Sequence, residues 1–348
     1  MGLPETMQAI QIKEFNAPYA VSKVPVPKPK PNQLLIRIKA AGFCHTDLMA
    51  LNNEFNSPLP YIGSHEGAGV VVEVGSNVQG FAKGDHVGCI NFDSSCGECP
   101  DCSTGRVIYC DRPQMKGLTI DGAWAEYMVA DARTTVKIPE SVDLVTAAPL
   151  MCAGLSIYGG IKKAGVPPGG SIGIIGIGGL GHIGTQLAKA MGYKVAAVDI
   201  KQTSLDLVNS HRLKPDLSLL VTEDPKDAMA KAHSAIPGKF PGLDATVLAT
   251  DQQSAFDFAA AITRKHGTVV LLGQPDKGIS MSFYNMIFRD IKLVGSLIGD
   301  TSDADELMQL VDDHDIQLKI KTWRLDQAEE MRQEYLSGKS EGKNVIVL

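Results

Sequence analysis

Aromatic residues make up only 6% of the 348-residue sequence, and no apolar run approaches a bilayer span without a glycine or a charge interrupting it. A membrane partner is therefore not expected. Basic blocks are missing as well. The formal net charge is -6 and the pI is near 5.8, and no Lys/Arg cluster is dense enough to offset that average, which argues against nucleic acid as a partner. The opening stretch MGLPETMQAIQIKEF has neither the basic nor the apolar segment of a secretory leader, so a cytoplasmic location is expected. Gly2 and Thr6 fit the short myristoylation pattern, but that pattern is permissive and here encloses Pro4 and Glu5. The seven cysteines are odd in number, and four crowd into one short stretch. A disulfide framework does not need such crowding in a chain this large; metal binding in a reducing compartment does.

What is present is a glycine-punctuated globular composition, with 44% hydrophobic residues, 21% charged residues and 35 glycines. The length exceeds what one hydrophobic core usually organises and predicts two domains. Up to about Leu150 the sequence reads as short strands broken by Gly, Pro and Asp, among them QLLIRIKA, GAGVVVEVG and AWAEYMVAD. The PVPKPKP run leads straight into QLLIRIKA and reads as an extended lead-in to that strand. From about Gly170 nearly continuous apolar strands, SIGIIG, KVAAVDI, DATVLAT, GTVVLLG and IKLVGSLI, alternate with helical segments. That is the pattern of an α/β protein whose parallel sheet is buried on both faces, a doubly wound fold. After Gly299 an acidic helix, SDADELMQLVDDHD, and a last strand, NVIVL, fit neither end of that sheet and are expected to return to the first domain.

Within this second region, Gly176, Gly178, Gly179, Leu180 and Gly181 form the core of GxGxxG. The motif follows the strand SIGIIG, opens the helix GHIGTQLAKAMG and precedes a carboxylate, Asp199, at the end of the next strand. Missing Cβ atoms let the backbone approach a pyrophosphate, whose charge meets the free N–H groups of the helix start. Asp199 would accept from ribose hydroxyls and repel a 2′-phosphate, so NAD(H) is expected over NADP(H), with Lys201 close enough to soften that repulsion.

Cys96, Cys99, Cys102 and Cys110 give CxxCxxCx7C, a spacing that can close a tetrahedral shell around one structural zinc. Four thiolates also suit an iron–sulfur cluster or disulfide pairing, and spacing alone does not separate these readings from zinc. A catalytic metal needs three ligands and an open position. The candidates lie in Cys44-His45-Thr46-Asp47, His65-Glu66 and Met151-Cys152, none of which is informative singly.

Taken with the dinucleotide motif, these segments resemble the zinc-containing medium-chain alcohol dehydrogenases, and among them the compact yeast-type microbial branch. The resemblance runs through VPVPKPKPNQLLI, AGFCHTDL, SHEGAGVVVEVG, the four-cysteine lobe, DGAWAEY, APLMCAG, GIGGLGHIG and LVGSLIG, essentially the whole length. It implies a GroES-like β-rich catalytic domain over residues 1–152, with a structural zinc lobe at about 92–112. A Rossmann domain would follow over 153–298, and 299–348 would return to the catalytic domain. It implies Cys44, His65 and Cys152 as catalytic zinc ligands and the four lobe cysteines as structural ligands, hence two zinc ions per chain. Glu66 becomes a carboxylate able to exchange onto the metal, Asp47 a supporting group, His45 a pyrophosphate contact, and Thr46 the hydroxyl that takes the alcohol proton onward. The implied activity is hydride transfer between NAD(H) and a small-molecule alcohol, aldehyde or ketone, by a homotetramer or alternatively a dimer.

The sequence departs from that family pattern at four positions. Met49 stands where a histidine completes the proton relay of ethanol-oxidising relatives, and a thioether carries no proton. Phe55 and Asn91 stand at pocket positions that are aromatic there, which implies a wider, less apolar pocket and a substrate larger than ethanol. Ser204 replaces a cofactor-contacting lysine. Two other functions fit part of the pattern: a reductase of polarised C=C or C=N bonds, for which the relay histidine matters less, and a catalytically silent dinucleotide-binding protein. Cys89, isolated in the sequence, reads as an inert core thiol.

Overall fold

The computed structural model describes residues 2–221, 224–275 and 277–348 and divides the chain into two compact units. The first comprises Met1–Ala153, Asp300–Asp312 and Lys319–Leu348, and the second Gly154–Gly299 with Asp313–Leu318.

The first unit is built around a seven-stranded sheet. Its central strand, Gln33–Phe43, pairs antiparallel with Gly67–Val74, with Tyr127–Asp131 and with the last strand of the chain, Lys343–Val347. Gln33–Phe43 can carry so many partners because QLLIRIKAAGF is apolar along most of its length and buried nearly throughout. The inner face packs into one core with Ile36, Ile38, Val71, Met128 and Ile346. Trp124 anchors it, edge-on to Tyr19 at 4.9 Å and stacked on Phe43 at 5.9 Å.

The second unit is a six-stranded, all-parallel sheet. Its spatial order is Leu217–Leu220, Lys194–Asp199, Ser171–Ile175, Leu243–Leu248, Thr263–Leu271, Lys292–Gly295. Numbered along the chain this is 3-2-1-4-5-6, the order in which strand direction of travel reverses beside the first strand. Every residue of Ser171–Ile175 is buried, as the unbroken apolar run SIGII requires of a strand covered on both faces. Helices Gly181–Ala190 and Gln253–Ile262 supply much of that cover.

Leu144–Lys163 is a helical stretch long and apolar enough to span a bilayer by length and composition, and most of it is buried within the protein. Pro149 lies inside it, followed by a π-turn at Leu150–Gly154.

Candidate functional site

In the first unit the ligand atoms of Cys44, His65, Glu66 and Cys152 lie within 4.8 Å of one another. Each arrives on a different device. Cys44 is the N-cap of the short helix His45–Leu51, and its N–H donates to Asp47 Oδ2 at 2.8 Å. His65 follows Ser64, which takes a left-handed φ of 69° and pins itself by donating from Oγ to Gly42 O. Cys152 sits in the π-turn Leu150–Gly154, a widened helical turn of the kind found at functional sites.

Asp47 orients two of these residues at once. Its Oδ2 holds the Cys44 backbone, while its Oδ1 accepts from His65 Nδ1 at 3.0 Å, with both side chains buried. A carboxylate there fixes the tautomer and leaves Nε2 as the lone-pair face. That face is turned toward Cys152, whose Sγ is 3.2 Å away. Lys343 adds a buried cation, its Nζ donating to Glu66 Oε1 at 2.8 Å and to Phe43 O at 2.9 Å.

The electrostatics follow from this crowding. The hydrogen bond from Cys152 draws the Cys44 thiol well below its ordinary value, with help from Lys343 and against the opposing effect of burial. That same bond, with burial, pushes Cys152 well above it. Burial raises Glu66 to about 7 despite Lys343. Burial alone would disfavour the His65 imidazolium, but Asp47 and Cys44 outweigh it and raise its pKa.

Two thiolates and an oriented imidazole are the donor set that zinc takes in an open site. Glu66 Oε2 is buried without a hydrogen-bond partner, as befits a carboxylate beside a cation.

The second cysteine group closes more tightly. The four Sγ atoms of Cys96, Cys99, Cys102 and Cys110 lie within 4.8 Å of one another, with Cys96 and Cys102 at 3.9 Å. A tetrahedron with bonds of about 2.3 Å has edges of about 3.8 Å, so the set encloses the volume of a single ion. A cage of several irons and sulfides needs its thiolates further apart. No disulfide joins these cysteines. Backbone N–H groups of Cys96, Cys99, Cys102 and Arg112 donate to Cys110, Cys96, Cys99 and Cys110 sulfurs respectively. The N–H groups of Glu98 and Cys99 pull Cys96 down to about 6, whereas burial and the hydrogen bond with Cys99 push Cys102 up to about 11. Outside both groups, burial pushes Cys89 up to about 11.

In the second unit, Gly176 takes φ 90° and Gly181 starts the helix so close to Gly176 that a Cβ there would lie 2.0 Å from Gly176 O. A Cβ on Gly178 would meet nothing within 4 Å, so this turn leaves an open cradle over the helix start. Gly179 and Leu180 belong to the same turn. Asp199 ends its strand beside the cradle, accepting from Ile177 N at 2.6 Å and from Lys201 N at 2.8 Å. These residues fit a dinucleotide pyrophosphate at the helix N-terminus and a ribose at the carboxylate.

The helix that Cys44 caps also carries His45, Thr46 and Met49. His45 is exposed, and Thr46 and Met49 are half-buried on the helix His45–Leu51, with Thr46 Oγ1 3.9 Å from Cys44 Sγ. Phe55 packs on the first core, and Asn91 is buried with Oδ1 unpartnered. Ser204 lies half-buried on the helix Gln202–Ser210. Sequence reasoning missed Lys343. A single lysine opening the apolar run NVIVL has no spacing relative to Glu66, and only its place in a buried strand could have marked it.

Residues 30–140 match the family described as alcohol dehydrogenase GroES-like domain, and residues 179–313 match zinc-binding dehydrogenase. The chain is 36% identical to alcohol dehydrogenase 1 of Emericella nidulans, over 99% of each chain. It is 35% identical to an alcohol dehydrogenase of Geobacillus stearothermophilus, over 98% of this chain and 99% of that one. The acetophenone reductase of Geotrichum candidum, solved in complex with NAD, superposes with a TM-score of 0.84 at 26% identity, covering 100% of this chain and 99% of that one. With a GroES-like unit, a parallel dinucleotide-type sheet and full-length relatives of this kind, the chain belongs to the zinc-containing medium-chain alcohol dehydrogenase family and is an oxidoreductase of the alcohol dehydrogenase type.

Proposed function

We propose that this protein transfers a hydride between NAD(H) and an alcohol, aldehyde or ketone larger than ethanol, with one zinc held by Cys44, His65 and Cys152 and a second by Cys96, Cys99, Cys102 and Cys110. The observation that carries the reading is the convergence of two cysteine sulfurs and an Asp47-oriented imidazole on one point of the first unit.

When bound, zinc supplies Lewis acidity toward a substrate oxygen and NAD supplies the hydride acceptor. The chain's own residues do the rest. Asp47 keeps the proton on His65 Nδ1, so Nε2 stays available as a donor. Thr46 Oγ1 receives the proton that an alcohol gives up and passes it outward. Gly176, Gly178, Gly179, Leu180 and Gly181 cradle the pyrophosphate, for which His45 is a further contact. Asp199 binds the ribose hydroxyls and disfavours a 2′-phosphate, with Lys201 beside it. Asn91 and Phe55, at positions that are aromatic and narrow the pocket in ethanol-oxidising relatives, support the larger substrate, as does similarity to a reductase named for acetophenone.

The protein is inferred to work in the cytoplasm, where free thiols persist, and as a homo-oligomer, a tetramer or alternatively a dimer. Phe283, Tyr284, Met286, Ile287 and Phe288 are exposed in the second unit, near Lys292–Gly295, the end strand of its sheet. An apolar strip by a sheet edge suits a second copy.

Metal analysis together with one panel of primary, secondary, allylic and aromatic alcohols and carbonyl compounds, run with both cofactors, tests the reading. Two zinc ions per chain and NAD-linked turnover are expected. Iron in place of zinc, turnover only on C=C or C=N substrates, or no turnover by a protein that binds zinc and NADH would each overturn it.

A further inference from the structure

We propose that Lys343 is a positioning residue that holds Glu66 away from the metal at Cys44, His65 and Cys152 and so keeps one coordination position open; this rests on the zinc reading above. Lys343 opens the last strand of the chain, in which Asn344 lies opposite Phe43, so the register carries Lys343 to the level of Cys44. Its side chain is buried, and so is that of Glu66. Nζ makes two contacts there, with Glu66 Oε1 at 2.8 Å and Phe43 O at 2.9 Å. The lysine thereby ties the carboxylate to the residue that precedes Cys44.

Glu66 has two places to put its charge. One is Lys343. The other is the metal, because a Glu66 oxygen already lies within 4.8 Å of the ligand atoms of Cys44, His65 and Cys152. Its Oε2 is buried, accepts no hydrogen bond and rests against Gly42, where even a Cβ would come within 1.9 Å. A half-satisfied buried carboxylate is costly and turns toward whichever cation is within reach. Charge counting decides the balance. Two thiolates neutralise a divalent ion, and Lys343 neutralises Glu66. With Lys343 removed, the divalent ion is the cation left beside Glu66. The carboxylate then becomes a fourth protein ligand and occupies the position a substrate oxygen needs.

The test uses holoenzyme in which cobalt replaces zinc, because cobalt's visible bands report its ligand set. Lys343→Met should retain two metal ions per chain, show an altered cobalt spectrum and lose turnover by about 10- to 100-fold, the range seen when groups supporting a metal ligand are changed. Lys343→Arg should keep the native spectrum. Glu66→Gln placed in the Lys343→Met background should return the spectrum to the native form and restore part of kcat, which a merely structural role for Lys343 would not do. Should Lys343→Met fail to fold, Lys343→Gln, which can still donate to Phe43 O without a charge, carries the same expectations. Two metals with an unchanged spectrum in the uncharged variant, or a double variant no different from the single one, would overturn this proposal and leave the zinc reading standing. Native enzyme holding metal only in the four-cysteine lobe would overturn both.

Discussion

Cys44 and Cys89 are the same residue type a few strands apart, and their surroundings make them opposites. Cys89 is raised to about 11 by burial, which outweighs the nearby Lys116 charge, whereas Cys44 is lowered by the Cys152 hydrogen bond and by the Lys343 charge. The same dependence on neighbours governs Met49. It lies three residues after Thr46 on the helix His45–Leu51, one turn along the same face, and its thioether could not take a proton handed on by Thr46 in the proposed relay. Met49→His should raise alcohol oxidation at pH 6 to 7 more than at pH 9, by about tenfold or less, since acid–base groups contribute about 10²-fold or more only when no water substitutes for them. Rate profiles at matched zinc content check this, and a response flat across pH would make Met49 a wall of the substrate pocket. Asp199 accepts one backbone N–H on each oxygen and keeps lone pairs for ribose hydroxyls. Asp199→Gly should therefore narrow or reverse the preference for NAD(H), read as the ratio of kcat/KM for the two cofactors; native enzyme that favours NADP(H) would contradict the assignment.

At the level of elements, two polar stitches, one buried and one half-buried, join separate segments. In the four-cysteine lobe, strand Phe92–Ser94 pairs with Gln114–Met115, and the adjoining Lys116 is buried. Lys116 Nζ reaches Asp93 at 2.5 Å and Ile90 O at 3.1 Å, and its backbone N–H donates to Asn91 O. Asp93 in turn accepts from Asp131 N, which fixes the root of the lobe to the main sheet. Cys99→Ser should therefore release the lobe's metal and lower Tm and assembly, whereas Cys152→Ser should abolish turnover with Tm nearly unchanged. Loss of activity in both without a change in Tm would refute that division of roles. In the parallel sheet, Asp244 accepts from Ser171 N and Oγ and from Arg264 Nε, tying strands Ser171–Ile175, Leu243–Leu248 and Thr263–Leu271 together. Burial alone would raise the Asp244 carboxyl, but the hydrogen bonds from Arg264 and Ser171 outweigh it and hold it below its usual value. A carboxyl depressed in the folded state stabilises at pH values above its unfolded pKa of about 3.9, and that stabilisation fades as pH falls through the lower folded value. Asp244→Asn should thus cost about 1–2 kcal/mol at pH 7, a figure discounted for partial exposure, and the deficit should shrink in melts recorded progressively below pH 4. A deficit independent of pH would point to packing instead.

For the whole molecule, the exposed strip Phe283 to Phe288 is the surface feature that a single chain in water leaves unexplained. Tyr284 stacks on Phe288 and Phe283 packs edge-on against it, while Ile287 remains 70% exposed. Such a patch beside an end strand is an aggregation hazard unless another copy covers it. The native protein should run as an oligomer by light scattering and Ile287→Asp as smaller species, with the melting of each chain little changed. A native protein that already runs as a single chain would remove the argument.

Features written in contiguous residues are legible in the sequence itself. The spacing of Cys96 to Cys110, the glycine turn ending in Asp199 and the apolar runs of the parallel sheet depend on local geometry, which spacing and periodicity encode directly. The likeness of Cys44, His65 and Cys152 to a ligand set comes from family resemblance; it is folding that brings these three residues within 4.8 Å. Tertiary structure alone reveals the partners across long separations. Glu66 and Lys343 are 277 residues apart, and Lys116 is clasped by Ile90 O, just past the strand His86–Cys89, and by Asp93 of Phe92–Ser94. The choice of which lysine is buried against which carboxylate follows from strand register and from the need to neutralise charge within a core, and neither leaves a mark in the local sequence.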